Sequence, residues 1–399
     1  MSVFDNDRFT RRNFLEATSR GAAAVGLGGL ASSTMPTAKS DESQKPKLPA
    51  GVLGRTKYPV TLISFGAILI GEKLGTRILK AAIDQGVNLV HTSKSYRGGR
   101  SIEACGRLFK ADKKYRDKVF FCLKSFTPEK ESETDDGLKM LGTDHVDVVL
   151  TEFHKPSLKR LEAIQAQQDK LKKKGKVRYT GFVCHVDMNG AMEMVLEKAP
   201  DYFDITLMAM GMAAAGKSKD KSDADTQRFL KNLKALREKG IGILSMKSGA
   251  KKVVTKGAKL FQAHAKAILE AGADSVLTSM NTLQQVQMLK NLDLKNPHLT
   301  PRERKAAVDL DRSRSDACLM CGRCNKVCPR GLPVSDLMRI RMYHDEYGWP
   351  DHARDEFSML DVDAPGLSTA CGNCSVCTDV CPVGLAGAGT VQQVASFFV

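Results

Sequence analysis

Short β-branched runs alternate with amphipathic stretches along the middle of the chain. Strand-like segments fall near residues 60–65, 87–92, 118–123, 146–151, 177–183, 203–208, 241–246 and 274–278. Helical periodicity marks Arg77–Gln85, Leu158–Lys173, Gln227–Lys239, Ala258–Glu270 and Leu283–Leu289. Eight strands interleaved with helices over about 230 residues are what a (β/α)8 barrel requires. A doubly wound sheet shares the alternation but usually opens on a glycine-rich phosphate loop, and none follows the first strand. The pattern predicts an α/β protein with a TIM barrel over residues 51–293, after a Ser-, Asp-, Lys- and Pro-containing linker at 39–50. Residues 294–399 form a second, mainly helical domain. Its entry, Leu294–Leu310, reads as a hinge holding a helix start, with Thr300 as cap and Glu303 closing the box. A further helix is predicted at Val334–Tyr347.

Composition changes this picture little. With 42% hydrophobic residues among 399, the chain can bury a full core, and no segment of the mature part is long and apolar enough to span a membrane. The net charge of +16 gathers in Lys172–Lys176, Lys217–Lys221 and Lys247–Lys259. These runs lack the interleaved aromatic residues of a nucleic-acid surface, so they read as solvated helix ends and loops rather than a nucleic-acid partner site. The stretch Gly211–Ser222 reads as a lysine-rich loop near the barrel mouth.

The cysteines carry chemistry. Cys318, Cys321, Cys324 and Cys328 precede Pro329, and Cys371, Cys374, Cys377 and Cys381 precede Pro382. Both copies read C-x2-C-x2-C-x3-C-P. Three closely spaced thiolates wrap one iron–sulfur cube, and the fourth reaches a second. The pattern predicts two [4Fe–4S] clusters, one on Cys318, Cys321, Cys324 and Cys381, the other on Cys371, Cys374, Cys377 and Cys328. Gly322 and Gly372 sit inside these turns, where the backbone must approach sulfur. Zinc knuckles or disulfides are the alternatives, and neither needs so faithful a repeat. Cys105, Cys122 and Cys184 lie in apolar contexts and read as buried free thiols.

At the N-terminus, Thr10-Arg11-Arg12-Asn13-Phe14-Leu15 precedes a mildly apolar run, Gly21–Ala31. This reads as a twin-arginine signal within residues 1–38, with export to the periplasm or cell envelope. Proteins that fold around inserted clusters before export suit that route.

Leu53-Gly54-Arg55-Thr56, Gly86-Val87-Asn88, Ser95-Tyr96-Arg97-Gly98-Gly99, Leu141-Gly142-Thr143-Asp144 and Gly175–Phe182 together resemble the aldo-keto reductases, from about residue 51 to 290. The cysteine tail is similar to the iron–sulfur extension of one branch of that family, and its long spacer resembles the all-helical two-cluster ferredoxin modules. The resemblance implies reduction of a small carbonyl, or oxidation of an alcohol, at the C-terminal mouth of the barrel. The family's acid tyrosine falls on Tyr96, its lysine on Lys124 and its histidine on His154. In that scheme Lys124 lowers the pKa of Tyr96 and His154 orients the substrate oxygen.

The chain departs from the family pattern at several positions. His91 replaces the aspartate that pairs with the lysine, which leaves Lys124 without that anion, and His91 itself is expected to stay neutral beside Lys124. For NADP(H), the family's Ser-Asn pair falls on Val183-Cys184, its glutamine on Leu207, its stacking tyrosine on Met210 and its phosphate-clamping arginine on Asn281. Lys247 and Ser248 alone retain the character of a phosphate loop. Two functions follow: an iron–sulfur oxidoreductase exchanging electrons with a partner protein, or a nicotinamide-independent electron carrier whose barrel is a scaffold.

Overall fold

The computed structural model describes residues 47–185, 187–210, 224–247, 257–312, 318, 322–381 and 384–398. All of them fall within one compact unit. The twin-arginine run, Gly211–Ser222, Ser248 and Cys321 lie outside the described residues.

A hairpin of β1 (Ala50–Leu53) and β2 (Tyr58–Thr61) precedes the barrel. The barrel strands are β3 (Ile63–Gly66), β4 (Leu89–Ser93), β5 (Phe120–Ser125), β6 (Val146–Glu152), β7 (Val177–Cys184), β8 (Ile205–Ala209), β9 (Gly242–Met246) and β10 (Ser275–Thr278). All eight are parallel, and β10 pairs with β3 to close the cylinder. The strand expected at 60–65 is thus split at Leu62. Its first half closes the base, where the Asn88 side chain accepts from the Thr61 amide at 2.8 Å. The predicted linker also runs one residue too far, since Ala50 already belongs to β1.

Alternation along each strand decides what lies inside. Leu89, Phe120, Cys122, Val148, Leu150, Val183 and Leu207 fill the interior with Leu53 and Val60 from the hairpin. Their neighbours Val90, Phe121, Val149, Phe182 and Cys184 face the helices. The outer layer includes α1 (Glu72–Gln85), α2 (Arg100–Ala111), α3 (Glu131–Leu141), α4 (Leu158–Lys173), α5 (Met188–Lys198), α6 (Ala224–Glu238), α7 (Ala258–Glu270) and α8 (Leu283–Met288). Helices α2, α3 and α5 are additional to the expected segments, and each carries a glycine, at 106, 137 and 190. Gly106 is needed where α2 meets α3: a Cβ there would lie 2.1 Å from the Met140 carbonyl oxygen.

The expected hinge is a docked helix, α9 (Pro301–Arg312). Thr300 and Glu303 form the anticipated reciprocal cap. Glu303 also pairs with Lys266 of α7 at 2.9 Å, and Arg304 with Glu270 at 2.8 Å, so this segment is fixed to the barrel wall. Beyond it come α10 (Arg323–Val327), α11 (Val334–Arg341), α12 (Pro350–Ser358), α13 (Ala364–Ala370), α14 (Val376–Asp379) and α15 (Gly387–Phe397). The single helix expected at 334–347 is α11 followed by a π turn, Met342–Glu346. Val334, Leu337, Ile340, Leu367, Val391 and Val394 form this domain's core, and Ile68 from the barrel packs against it. Among the described residues no helix is long and apolar enough to cross a membrane.

Candidate active site between barrel and cysteine domain

Strand alternation brings the polar inward positions to one end of the barrel. On β4 the inward parity runs Leu89, His91, Ser93; on β5, Phe120, Cys122, Lys124; on β6, Val148, Leu150, Glu152 and, past the strand end, His154. On β7 it runs from Val183 to His185. Barrel enzymes place their chemistry at this C-terminal mouth.

Lys124 is not left without an anion. Its Nζ lies 2.5 Å from Glu152 Oε1, and its cation also sits 4.1 Å from the centre of the Phe126 ring. Lys124 is registered opposite Leu150, so Glu152 stands two residues further along the neighbouring strand and on the same face. The carboxylate absent at His91 has been supplied from β6. A period-two count along β6 from Val148 and Leu150 reaches Glu152. His91 is buried, and burial together with Lys124 pushes it down to about 3, so it stays neutral as expected.

Glu152 also approaches both mouth histidines. His154 Nδ1 lies 3.3 Å from Oε2, and His185 Nε2 lies 3.6 Å from Oε1. The two imidazole centres are 3.7 Å apart. Burial pushes both histidines well below the ordinary histidine value, with Lys124 adding to the effect at His154 and His154 adding to it at His185. Arg160 of α4 holds the start of this loop, donating to the Glu152 and Phe126 carbonyls.

Tyr96 follows β4 but is buried beneath the cysteine domain. Its ring packs edge-on against His352 of α12, with centroids 6.1 Å apart, and against His91 at 5.9 Å. Burial first, then the carboxylates of Glu356 and Glu152, raise its phenol well above the ordinary tyrosine value, and Arg339 only partly offsets them. This is the reverse of the lowering expected from Lys124. Lys247, at the end of β9, points its Nζ to within 3.5 Å of the Tyr343 hydroxyl in the π turn. Burial, and next to it Arg339, depress its amine, so it faces protein rather than a phosphate.

Three mouth loops therefore meet the cysteine domain, and each carries a non-glycine residue in the left-handed region. These are Arg97 (φ 56°), Asp187 (φ 49°) and Lys247 (φ 51°). Such backbone costs energy and persists where the surroundings fix it. Arg97 lies over the Trp349 ring at 5.9 Å, and Lys326 approaches Asp187 at 3.8 Å. Above the mouth, Arg339 is buried between Asp336, at 2.7 Å, and Glu356.

A cavity of about 980 Å³ lies between the two parts. Glu152, His154 and Arg160 line its barrel side. Gly322, Asn325, Lys326 and Arg330, from the first cysteine motif, line the other, with Asp336, Arg339 and Glu356. Tyr96, Lys124 and Lys247 are not among the lining residues.

The cysteine motifs fit iron–sulfur clusters. Cys328, Cys371, Cys374, Cys377 and Cys381 are free thiols. Burial raises the thiols of Cys371 and Cys377, and in both cases the next contribution comes from Cys328. The Cys328 sulfur therefore acts electrostatically on two thiols of the second motif. The amides of Leu332 and Leu385 donate to Cys328 and Cys381 at 3.4 and 3.3 Å, the kind of bond that tunes a cluster ligand. Gly322 (φ 73°) and Gly372 (φ 44°) adopt left-handed backbone inside the cysteine turns. Cys105 and Cys122 are buried and free, and Cys184 is buried.

A nicotinamide fits poorly. Leu207, Met210, Val183 and Cys184 are fully buried and offer no side-chain partner for a carboxamide. The Asn281 backbone N–H donates to the Gln285 side chain, beside the Thr282–Gln285 capping box of α8, and its short neutral side chain brings no cation for a phosphate.

Comparison with known proteins agrees with this division. Residues 70–263 match the aldo/keto reductase family, and residues 314–385 match the 4Fe-4S dicluster domain. Among solved structures, the chain is similar to an aldo/keto reductase from Klebsiella pneumoniae in complex with NADP and acetate. Identity is 18%, the match covers 67% of this chain and 95% of that one, and the TM-score is 0.51. It is also similar to a putative 2,5-diketo-D-gluconic acid reductase B, at 20% identity, covering 66% and 92%, with a TM-score of 0.50. At these identities the likeness shows the barrel fold.

Proposed function

We propose that this chain, an aldo/keto reductase-type barrel joined to a 4Fe-4S dicluster domain, is an iron–sulfur oxidoreductase that works without nicotinamide. Its reaction site is the cavity between the two parts. The observation that carries this reading is the shared lining: Glu152 and His154 on one wall, Gly322 to Arg330 of the first cysteine motif on the other. Two bound [4Fe–4S] clusters would exchange electrons one at a time, matching the two electrons and two protons that separate a carbonyl from its alcohol. Neutral His154 orients the substrate oxygen, and the Lys124–Glu152 pair fixes the floor beneath it. Tyr96 lies behind His352, outside the cavity, and serves packing there. An electron-donor or acceptor protein completes the circuit. Arg11 and Arg12 support export to the periplasm or envelope, where no nicotinamide pool is required, and a reporter fused to residues 1–38 tests that route.

The buried Tyr96 favours a second reading, an electron carrier with the barrel as scaffold. One experiment separates the possibilities. Anaerobic protein with intact clusters is titrated with NADPH and NADH to millimolar concentration, then reduced with dithionite and offered a panel of small carbonyl compounds. The expected result is no nucleotide binding and stoichiometric cluster reoxidation with alcohol formed. Tight nucleotide binding overturns the nicotinamide-free reading. Clusters that only a protein partner can reoxidise favour the carrier.

A further inference from the structure

We infer that Glu152, His154 and His185 form a binding site for a divalent first-row transition ion, zinc or ferrous iron, at the barrel mouth. One donor atom from each residue lies within 4.8 Å of the others, and the contacts between Glu152 and the two rings measure 3.3 and 3.6 Å. These spacings are long for hydrogen bonds. The two contacts fall on different oxygens, His154 Nδ1 on Oε2 and His185 Nε2 on the Oε1 that Lys124 also holds, so an ion would take Oε2 and draw His185 toward it; two atoms each about 2.0–2.1 Å from one tetrahedral ion stand roughly 3.4 Å apart.

The second observation is the state of the rings. His185 is 1% exposed, and both its Nδ1 and the Nε2 of His154 are buried without a hydrogen-bond partner among the described residues. The nitrogens facing Glu152 are the other two, His154 Nδ1 and His185 Nε2; two imidazoles crowded on one carboxylate with their outer nitrogens unpartnered are unfavourable for bare protein, and an ion between the facing nitrogens would relieve that crowding. The chemistry is that of a two-histidine, one-carboxylate set, which leaves coordination positions open. Lys124 occupies only Oε1 of Glu152, and Oε2 is the atom nearer His154. Arg339 and Lys247 also face the rings, and Asp336 and Glu356 balance them.

An ion here would reach the cavity through Glu152 and His154, both of which line it. It would polarise a carbonyl oxygen, a role that Tyr96 cannot fill from behind His352. The site stands apart from the electron-supply reading, because it is measured by metal bound rather than by turnover.

The test uses holoprotein purified anaerobically and titrated with zinc sulfate or ⁵⁷Fe(II). Absorption spectroscopy at the zinc edge is expected to show one zinc per chain with nitrogen and oxygen neighbours. Mössbauer spectra of the iron-titrated sample are expected to show a high-spin ferrous signal distinct from cluster iron. In Glu152→Gln and His185→Asn the affinity falls at least ~100-fold while cluster iron and sulfide stay constant. Either metal bound in that way supports the site. Absence of binding, a sulfur-only zinc shell from displaced clusters, or affinity unchanged in both variants would each overturn it.

Discussion

Tyr96 of the loop after β4 packs edge-on against His352 of α12, with ring centroids 6.1 Å apart. A barrel loop and a helix more than two hundred residues later thus bury one another, and the phenol is held protonated as a result. Removing the imidazole opens space beside Tyr96 and admits water. His352→Ala is therefore expected to cost about 1–3 kcal/mol of stability. It also returns the Tyr96 phenol toward the ordinary value of 10.0. Urea unfolding followed by fluorescence checks the first effect, and ¹³C NMR of ζ-labelled tyrosine checks the second.

The Asp336–Arg339–Glu356 triad is almost fully enclosed. Breaking it from one side strands charge away from water. Arg339→Met alone is expected to destabilise the protein by about 3–5 kcal/mol. The triple change Arg339→Met, Asp336→Leu, Glu356→Leu should recover most of that loss, since no ion is then left unpaired. Comparing the single and triple variants by urea midpoint makes the point. A triple variant as weak as the single one would mean that the triad's shape, not its charge balance, matters.

Acid should weaken the protein early, through its neutral histidines. His352 is pushed down to about 4 and His91 to about 3, in both cases by burial first, from an ordinary 6.5. As pH falls below 6.5, the unfolded chain takes up protons that the folded one refuses. Each histidine then costs about 1.4 kcal/mol per pH unit until its folded value is reached. Glu356, which Arg339 holds down at about 2 against the cost of burial, contributes its own loss only below 4.5. Stability is expected to decline between pH 6.5 and 4, and His91→Gln should flatten that slope measurably in urea titrations at stepped pH.

The barrel was legible because its signals are local. Leu158–Lys173 and Ala258–Glu270 are helices at the boundaries that periodicity marks. The eight strands lie within a few residues of their expected positions, since buried parallel strands read as β-branched runs. Lys124 is placed at the mouth by the family resemblance, and it lies near the end of β5 there. Its partner is not legible from the family pattern, whose carboxylate position holds His91; Glu152 replaces it from the inward parity of β6. What no local pattern carries is the seating of the cysteine domain over that mouth. The approach of Lys247 to Tyr343 and of Arg97 to Trp349 depends on surfaces brought together only after both parts fold.

The crossed cysteine sets give the sharpest test of the cluster domain. Cys328 closes the first motif in sequence, yet its sulfur acts on the thiols of Cys371 and Cys377 in the second. If each motif held its own cluster, Cys328→Ala would damage the centre bound by Cys318, Cys321 and Cys324. With crossed ligands it damages the other one. Two doubly substituted proteins separate these outcomes: Cys328→Ala with Cys374→Ala, and Cys328→Ala with Cys324→Ala. The first pair removes two ligands from a single centre and should lose about half the iron, keeping one intact [4Fe–4S] signal in the reduced EPR spectrum. The second pair cripples both centres and should lose nearly all of it. The reverse result would assign Cys328 to its sequence neighbours and remove the reason for the two motifs to fold as one domain.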